Sequence, residues 1–413
     1  MNLALISVSA LTLAVLISCF SRLNVGVLSI AMAWIVGVYL GGLPVSAVMA
    51  GFPSQLFLTL AGVTLLFAMA QSNGTLSRLT HHAVRLCRGN AGTIPIIFFI
   101  LGALLSSMGP GNIATAALLT PIAMATAARA GIPLFLMAIM VGNGANSGAL
   151  SPFAPTGIIV NTIMGKNQMP GLEAQAYLYN LGAHAVMAFA GYALFGGLRL
   201  FGAHRRVEVV DPEGMRAFDR RQWITLGVIG ALLVSVLAFG AHVGLAAFVG
   251  AVVLVAVNAA DNDEAIKLMP WRVIVMVCGV TVLIALVERF QGLNLMVQWI
   301  AQVSTPATVT FVVALITGIV SVYSSTSGVV LPAFLPLVPG LAAQLPGANA
   351  VAIAMSMNIG GHLVDTSPLS TIGALCIASA GVTAGESRKL FNQLLAWGLS
   401  MAVVGAVLCY VLF

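Results

Sequence analysis

Four short polar stretches interrupt an otherwise apolar chain: GPGNIAT at 109–115, GNGANSG at 142–148, SSTSG at 324–328 and NIGGHLVDTSP at 358–368. None contains Lys or Arg; they offer amides, hydroxyls, glycines and one carboxylate, Asp365, with His362 close before it. In a hydrocarbon core every backbone N–H and C=O needs a partner, so unwound backbone survives only where it lines a cavity or binds something. The second and fourth stretches therefore read as helix breaks, which free carbonyls for a cation and turn half-helix N-termini toward an anion. The first and third read as loop tips facing those breaks. Cation ligands are expected at Ser107, Asn112, Asn143, Gly144, Asn146, Asn358, Gly360 and Asp365. A small anion is expected at Asn112, Thr115, Ser325, Thr326 and Ser327, against Pro152, Thr366 and Ser367 of the breaks.

Asp365 is the one acidic residue expected at mid-membrane depth, where an ionisable group is a functional candidate by default. It can serve an ion or a proton, or cap a half-helix that begins at Thr366. His184 and His242, alone on apolar helices, are expected in structural roles. An intramembrane hydrolase using His362 is the competing class, but no GxSG occurs, and an aspartate-pair protease lacks its second Asp. A channel is a third reading, less suited to paired helix breaks. No GxxxxGK[ST] motif is present for ATP drive. The chain reads as no enzyme and as needing no cofactor beyond a coupling ion.

The elements that must position these residues are membrane helices. The 413 residues are 60% hydrophobic and 7% charged, with mean hydropathy +1.06. A soluble protein carries about 25% charged residues, so the partner implied is a lipid bilayer. The net charge of +6 then records topology and not nucleic-acid binding. Cys19, Cys87, Cys278, Cys376 and Cys409 have no metal spacing and read as small buried hydrophobes. No basic residue precedes the first apolar run, which reads as a retained span.

Spans are expected near 2–20, 23–40 and 54–71, with a half-polar segment at 75–89, then a hairpin at 91–129, a broken helix at 131–165 and a span at 173–200. A charged linker covers 203–222. The plan then repeats: spans near 223–240, 242–260 and 271–288, an amphipathic stretch at 291–303, a hairpin at 306–345, a broken helix at 347–380 and a span at 390–412. The halves are thus 1–202 and 223–413. An offset of about 215 residues brings Pro121 onto Pro336 and Asn143 onto Asn358; one residue more brings Ser151-Pro152 onto Ser367-Pro368 and Gly157 onto Gly373. Such duplication with paired broken helices is the signature of a secondary transporter. The fold expected is all-α and polytopic, with about ten spans, two re-entrant hairpins and two broken helices. Each hairpin arm looks short for a full crossing. If both hairpins enter and leave on one side, every Lys and Arg except Lys166 and Arg289 falls on the cytoplasmic side. Both termini are then outside, and the two halves are inverted. No Lys or Arg lies deep in an apolar run, so the anion would be held by helix N-termini, Asn and hydroxyls.

The paired hairpins and breaks resemble the ion-transporter superfamily, which includes the divalent-anion:sodium symporters and the malonate-carrier-like dicarboxylate transporters. The resemblance covers nearly the whole chain and is strongest in GPGNIATAALLTPIAMATAARAGIP and VGNGANSGALSPFAPTGIIV. It implies a carrier of small di- or monocarboxylates in a bacterial-type inner membrane. It also implies Na+ coupling, an elevator motion and a homodimer. In the symporters each hairpin tip carries Ser-Asn-Thr, which binds substrate carboxylate and helps form a sodium site. Here the first tip reads Gly111-Asn112-Ile113, with Thr115 two further on, and the second reads Ser325-Thr326-Ser327. Only Asn112, and more loosely Ser325, carries over. That departure leaves a proton-coupled or exchange-type organic anion carrier as the alternative.

Overall fold

The computed structural model describes residues 2–21, 23–84, 89–202, 206–207 and 217–413. Arg22, Arg85, Cys87, Arg88, Arg205 and Arg216, and most of the 203–222 linker, lie outside the described residues. The first half runs α1 (Leu3–Phe20), α2 (Val25–Trp34, extended by a π-helix Ile35–Leu40), α3 (Val45–Met49), α4 (Ser54–Ser72) and α5 (Thr75–Val84). There follow α6 (Thr93–Ser107), α7 (Gly111–Ala130), α8 (Leu134–Ser147), α9 (Pro155–Lys166) and α10 (Glu173–Leu194). The second half begins with α11 (Arg220–Phe239), α12 (Val243–Ala256), α13 (Asn262–Leu268), α14 (Trp271–Arg289), α15 (Gly292–Gln302) and α16 (Val309–Tyr323). A π-helix Thr326–Val330 leads into α17 (Leu331–Phe334), a 3₁₀ turn Leu335–Leu337 and α18 (Val338–Gln344). The chain closes with α19 (Ala350–Leu363), α20 (Thr371–Ala378) and α21 (Ala384–Leu412).

Order and lengths run in parallel across the halves: α4 and α14 have 19 residues each, α6 and α16 have 15, α8 and α19 have 14. Helix starts are set by polar caps, since the first turn's N–H groups have no intrahelical acceptor. Asn24 caps α2, Asp219 closes a capping box on α11, and Thr383 does the same on α21. The last box moves the start of α21 upstream of the expected 390.

Among the described residues, 6 helical stretches are long and apolar enough to cross a membrane. The other apolar helices have 10–17 residues. At about 1.5 Å per residue, 14 residues cover roughly 21 Å of a core about 30 Å thick. The hairpins also differ from expectation. Their first arms are short, but Gly111–Ala130 and Thr326–Gln344 each reach crossing length. Pro121 does not interrupt α7, because local adjustments and neighbouring groups re-satisfy the freed carbonyl in membrane helices.

The helices sort into two sets. In one, α2 packs on α14 and α4 on α12. Gly26 faces Gly279 and Gly62 faces Gly244 at these crossings, where an added Cβ would enter the partner's backbone. In the other, α6 packs on α8 and α16 on α19. Small residues that let backbones approach are the usual means of helix association without a hydrophobic drive.

Candidate functional site

The two breaks lie later than the sequence suggested. GNGANSG is helical to Ser147, and the interruption is Gly148–Ala154 before α9. NIGGHL completes α19, and the second interruption is Val364–Ser370 before α20. Glycine alone does not unwind these helices. An added Cβ on Gly144 would strike the Phe99 backbone of α6, and one on Gly360 the Ala314 backbone of α16. Both glycines are therefore contact points of close helix crossings. Pro155 instead starts α9, at the first helical position where its missing N–H costs nothing. Ser370 starts α20, accepting from Gly373 N at 3.4 Å. The cap of the second half-helix is thus Ser370 and not Asp365.

Each hairpin tip is tied to the helix end that precedes a break. Asn112, in the first turn of α7, donates from Nδ2 to Asn146 Oδ1 of α8 at 2.8 Å. Thr326 Oγ1 lies 2.6 Å from Asp365 Oδ1, 3.1 Å from Ser321 Oγ and 3.2 Å from Gly361 O. Its single proton goes to the carboxylate, the shortest of the three. The first break is braced by Ser151, whose Oγ donates to Ser107 O at 2.7 Å. In the second, Ser370 Oγ lies within hydrogen-bond distance of both Asp365 O and Ser367 O, which share its one proton. Gly157 presses on the Ser151 carbonyl and Gly373 on the Ser367 carbonyl. This contact explains why the two glycines recur at the same offset.

Between the tips and the α2/α14 pair lies a cavity of about 180 Å³. Asn112, Ser325, Thr326, Ser327 and Asp365 line it, together with Asn24 and Arg272. A second cavity, of about 220 Å³, lies beside α4 and the start of α9. Asn112, Ile113 and Ser327 belong to both cavities and form the septum between them. Four expected anion contacts stand away from these cavities. Thr115, Thr366 and Ser367 are buried and line neither, and Pro152 sits on the break outside both.

The expected cation ligands behind the tips form a polar seam. Ser107 Oγ donates to Ala103 O at 2.6 Å and lies 2.9 Å from the Tyr177 hydroxyl. Asn180 Nδ2 donates to the carbonyls of Asn146 and Ser147 at 2.9 and 3.2 Å. Asn143 donates to Ile139 O, so its Oδ1 accepts from His184 Nδ1 at 2.8 Å. His362 Nδ1 bonds its own helix at Asn358 O, 3.0 Å away. Several atoms in this seam are buried without a partner, including Asn146 Nδ2, Thr115 Oγ1, Thr366 Oγ1 and both side-chain polar atoms of Asn358. Orphaned buried polar atoms are uncommon and mark places that suit an ion or ordered water. His184 and His362 thus bond an amide oxygen and a backbone carbonyl. His242 caps α12.

Sequence reasoning missed Tyr177, Asn180 and His184 as a group. Their spacing of three and four residues puts them on one face of α10, and that polar stripe was the available signal. Asn24 and Arg272 gave none, because polar residues at helix ends read as caps and topology markers.

Residues 1–149, which include the first hairpin and the whole of α8, match the family model for the dicarboxylate carrier protein MatC N-terminus. No curated protein matches the chain. The family match supports a dicarboxylate carrier family and, with the apolar helices, a multi-pass membrane protein that transports carboxylates.

Proposed function

We propose that the chain is a secondary active transporter of small carboxylates, dicarboxylates foremost, coupled to Na+ through an elevator-type exchange of two inverted repeats. One observation carries this reading: both hairpin tips and the second break meet at a single cavity lined by Asn112, Ser325–Ser327 and Asp365. Neutral donors and the start of the 20-residue α7 offer a carboxylate hydrogen bonds and a favourable dipole. They hold it without a buried cation on the moving element, so release stays easy. Asp365 and the seam behind the tips offer oxygen ligands to the coupling ion. A homodimer formed through the scaffold helices α1, α2, α4, α11, α12 and α14 would hold the stationary set.

Uptake of labelled dicarboxylate into proteoliposomes tests the function. The expected result is accumulation above equilibrium when an inward Na+ gradient is imposed, and equilibration without it. Equilibration under both conditions would indicate a channel, and no uptake of any small carboxylate would remove the reading.

The inverted layout has its own test. Because the tips share a cavity, cysteines placed there would report which side is open and not where each hairpin is rooted. Ala128 and Gln344 are exposed residues near the hairpin bases. In a background lacking the native cysteines, Ala128→Cys is expected to label from the cytoplasm and Gln344→Cys from outside. Labelling of both from one face contradicts inversion.

A further inference from the structure

We propose that Arg272 is a second anion anchor of this cavity: its guanidinium takes the distal carboxylate of a dianionic substrate and makes the site prefer dicarboxylates to monocarboxylates. The inference rests on the carboxylate-carrier reading above and names a residue that reading does not use. Arg272 is the second residue of α14 and lines the same cavity as Asn112, Thr326, Ser327 and Asp365. By sequence it is one more basic residue at a helix end. In three dimensions the cavity reaches that helix end, so the exposed Arg272 and the hairpin tips border one space.

The position of Arg272 is held from behind. Asn24 Nδ2 donates to Arg272 O at 2.9 Å, and α2 crosses α14 closely at Gly26 and Gly279. Among the described residues none accepts a hydrogen bond from the guanidinium, and Asp365 Oδ1 is engaged by Thr326. The planar fork of five N–H donors is therefore open to a ligand, and carboxylates match that fork two bonds at a time.

The charges in the cavity say which ligand gains. The hairpin tips supply neutral amide and hydroxyl donors, sufficient for one carboxylate. A second carboxylate in so small a space would otherwise meet Asp365, a like charge. Arg272 turns that repulsion into a pairing, and a monocarboxylate has nothing to place there. Arg272 belongs to the α2/α14 pair and not to a hairpin. In an elevator motion it stays behind while the tips carry the substrate away, so the extra affinity acts on one side of the membrane and does not hinder release on the other.

The test is competition against labelled dicarboxylate uptake by the full chain in proteoliposomes. The competitors are an unlabelled dicarboxylate and a monocarboxylate of the same chain length. Arg272→Gln is expected to weaken inhibition by the dicarboxylate about tenfold to a hundredfold, the range for a lost bond to a charged group, and to leave the monocarboxylate within about twofold. Arg272→Lys keeps the charge and loses the fork, so it is expected to show a smaller loss confined to the dicarboxylate. That variant decides the matter if Arg272→Gln fails to insert. Equal weakening of both competitors, or a Lys variant with unchanged dicarboxylate affinity, overturns the proposal, the latter because a topology marker needs only charge. A wild-type protein that neither takes up nor recognises carboxylates would fail the underlying reading instead.

Discussion

Replacing Asn112 by alanine is expected to lower carboxylate uptake by about tenfold to a hundredfold while the protein still inserts and folds. Asn112 stands in the septum between the two cavities, in the first turn of α7, where backbone N–H groups lack intrahelical acceptors. Its Nδ2 spends one hydrogen on Asn146 Oδ1 and keeps a second for a ligand. Loss of a hydrogen bond to a charged group costs about 1.5–3 kcal/mol, which sets the range above. A second loss compounds it, because Asn146 Nδ2 already has no partner and the variant strands Oδ1 as well. The tip is then no longer fastened to α8. Asn146→Ala, which removes the same fastening from behind the tip, is expected to impair uptake less. The two changes share one bond, so the double variant should fall short of the sum. Uptake at substrate concentrations below half-saturation, normalised to protein in the membrane, is the measurement. Wild-type uptake by Asn112→Ala would take the first hairpin out of the site.

The four polar stretches were conspicuous in sequence, because such residues in an apolar chain are costly. The boundary between helix and break was not. In water, Gly-Asn-Gly-Ala-Asn-Ser-Gly invites a turn. Between packed membrane helices the same glycines let α8 approach α6, and the helix continues to Ser147. What ends it is visible only in combination: a proline that starts the next helix, and Ser151 reaching across to the Ser107 carbonyl. Asp365 was legible as an exception to hydropathy, but its partner was not, since Thr326 lies 39 positions away in sequence. Arg272 was hidden by a rule that is true on average, that basic residues collect at cytoplasmic helix ends. Such a residue can do both jobs when a cavity extends to the helix end.

Asp365→Asn is expected to abolish the stimulation of uptake by a Na+ gradient while leaving exchange of substrate across the membrane intact. Asp365 lies in the second interruption at the cavity wall, and an unpaired charge at membrane depth is costly, so something must offset its charge. The cap role is taken by Ser370. His362 turns its Nδ1 to Asn358 O, and its Nε2 has no partner, so it does not pair with the carboxylate. Thr326 gives one hydrogen bond, which stabilises a carboxylate without neutralising it. Arg272 shares the cavity, but no bond joins the two groups. A bound cation is the remaining partner, and the cavity is where it would enter. Asparagine retains an oxygen that can accept from Thr326, so the tip stays fastened and the variant isolates the charge. A lost charge-assisted contact of about 1.5–3 kcal/mol lowers Na+ affinity roughly tenfold to a hundredfold, enough to uncouple accumulation at ordinary Na+ concentrations. If Asp365 carries a proton instead, the same variant keeps its Na+ response and loses the dependence of uptake on pH. Measuring both dependences in one set of vesicles separates the cases. A variant with wild-type responses to Na+ and to pH would remove Asp365 from the coupling site and leave its bond to Thr326 as a structural clasp.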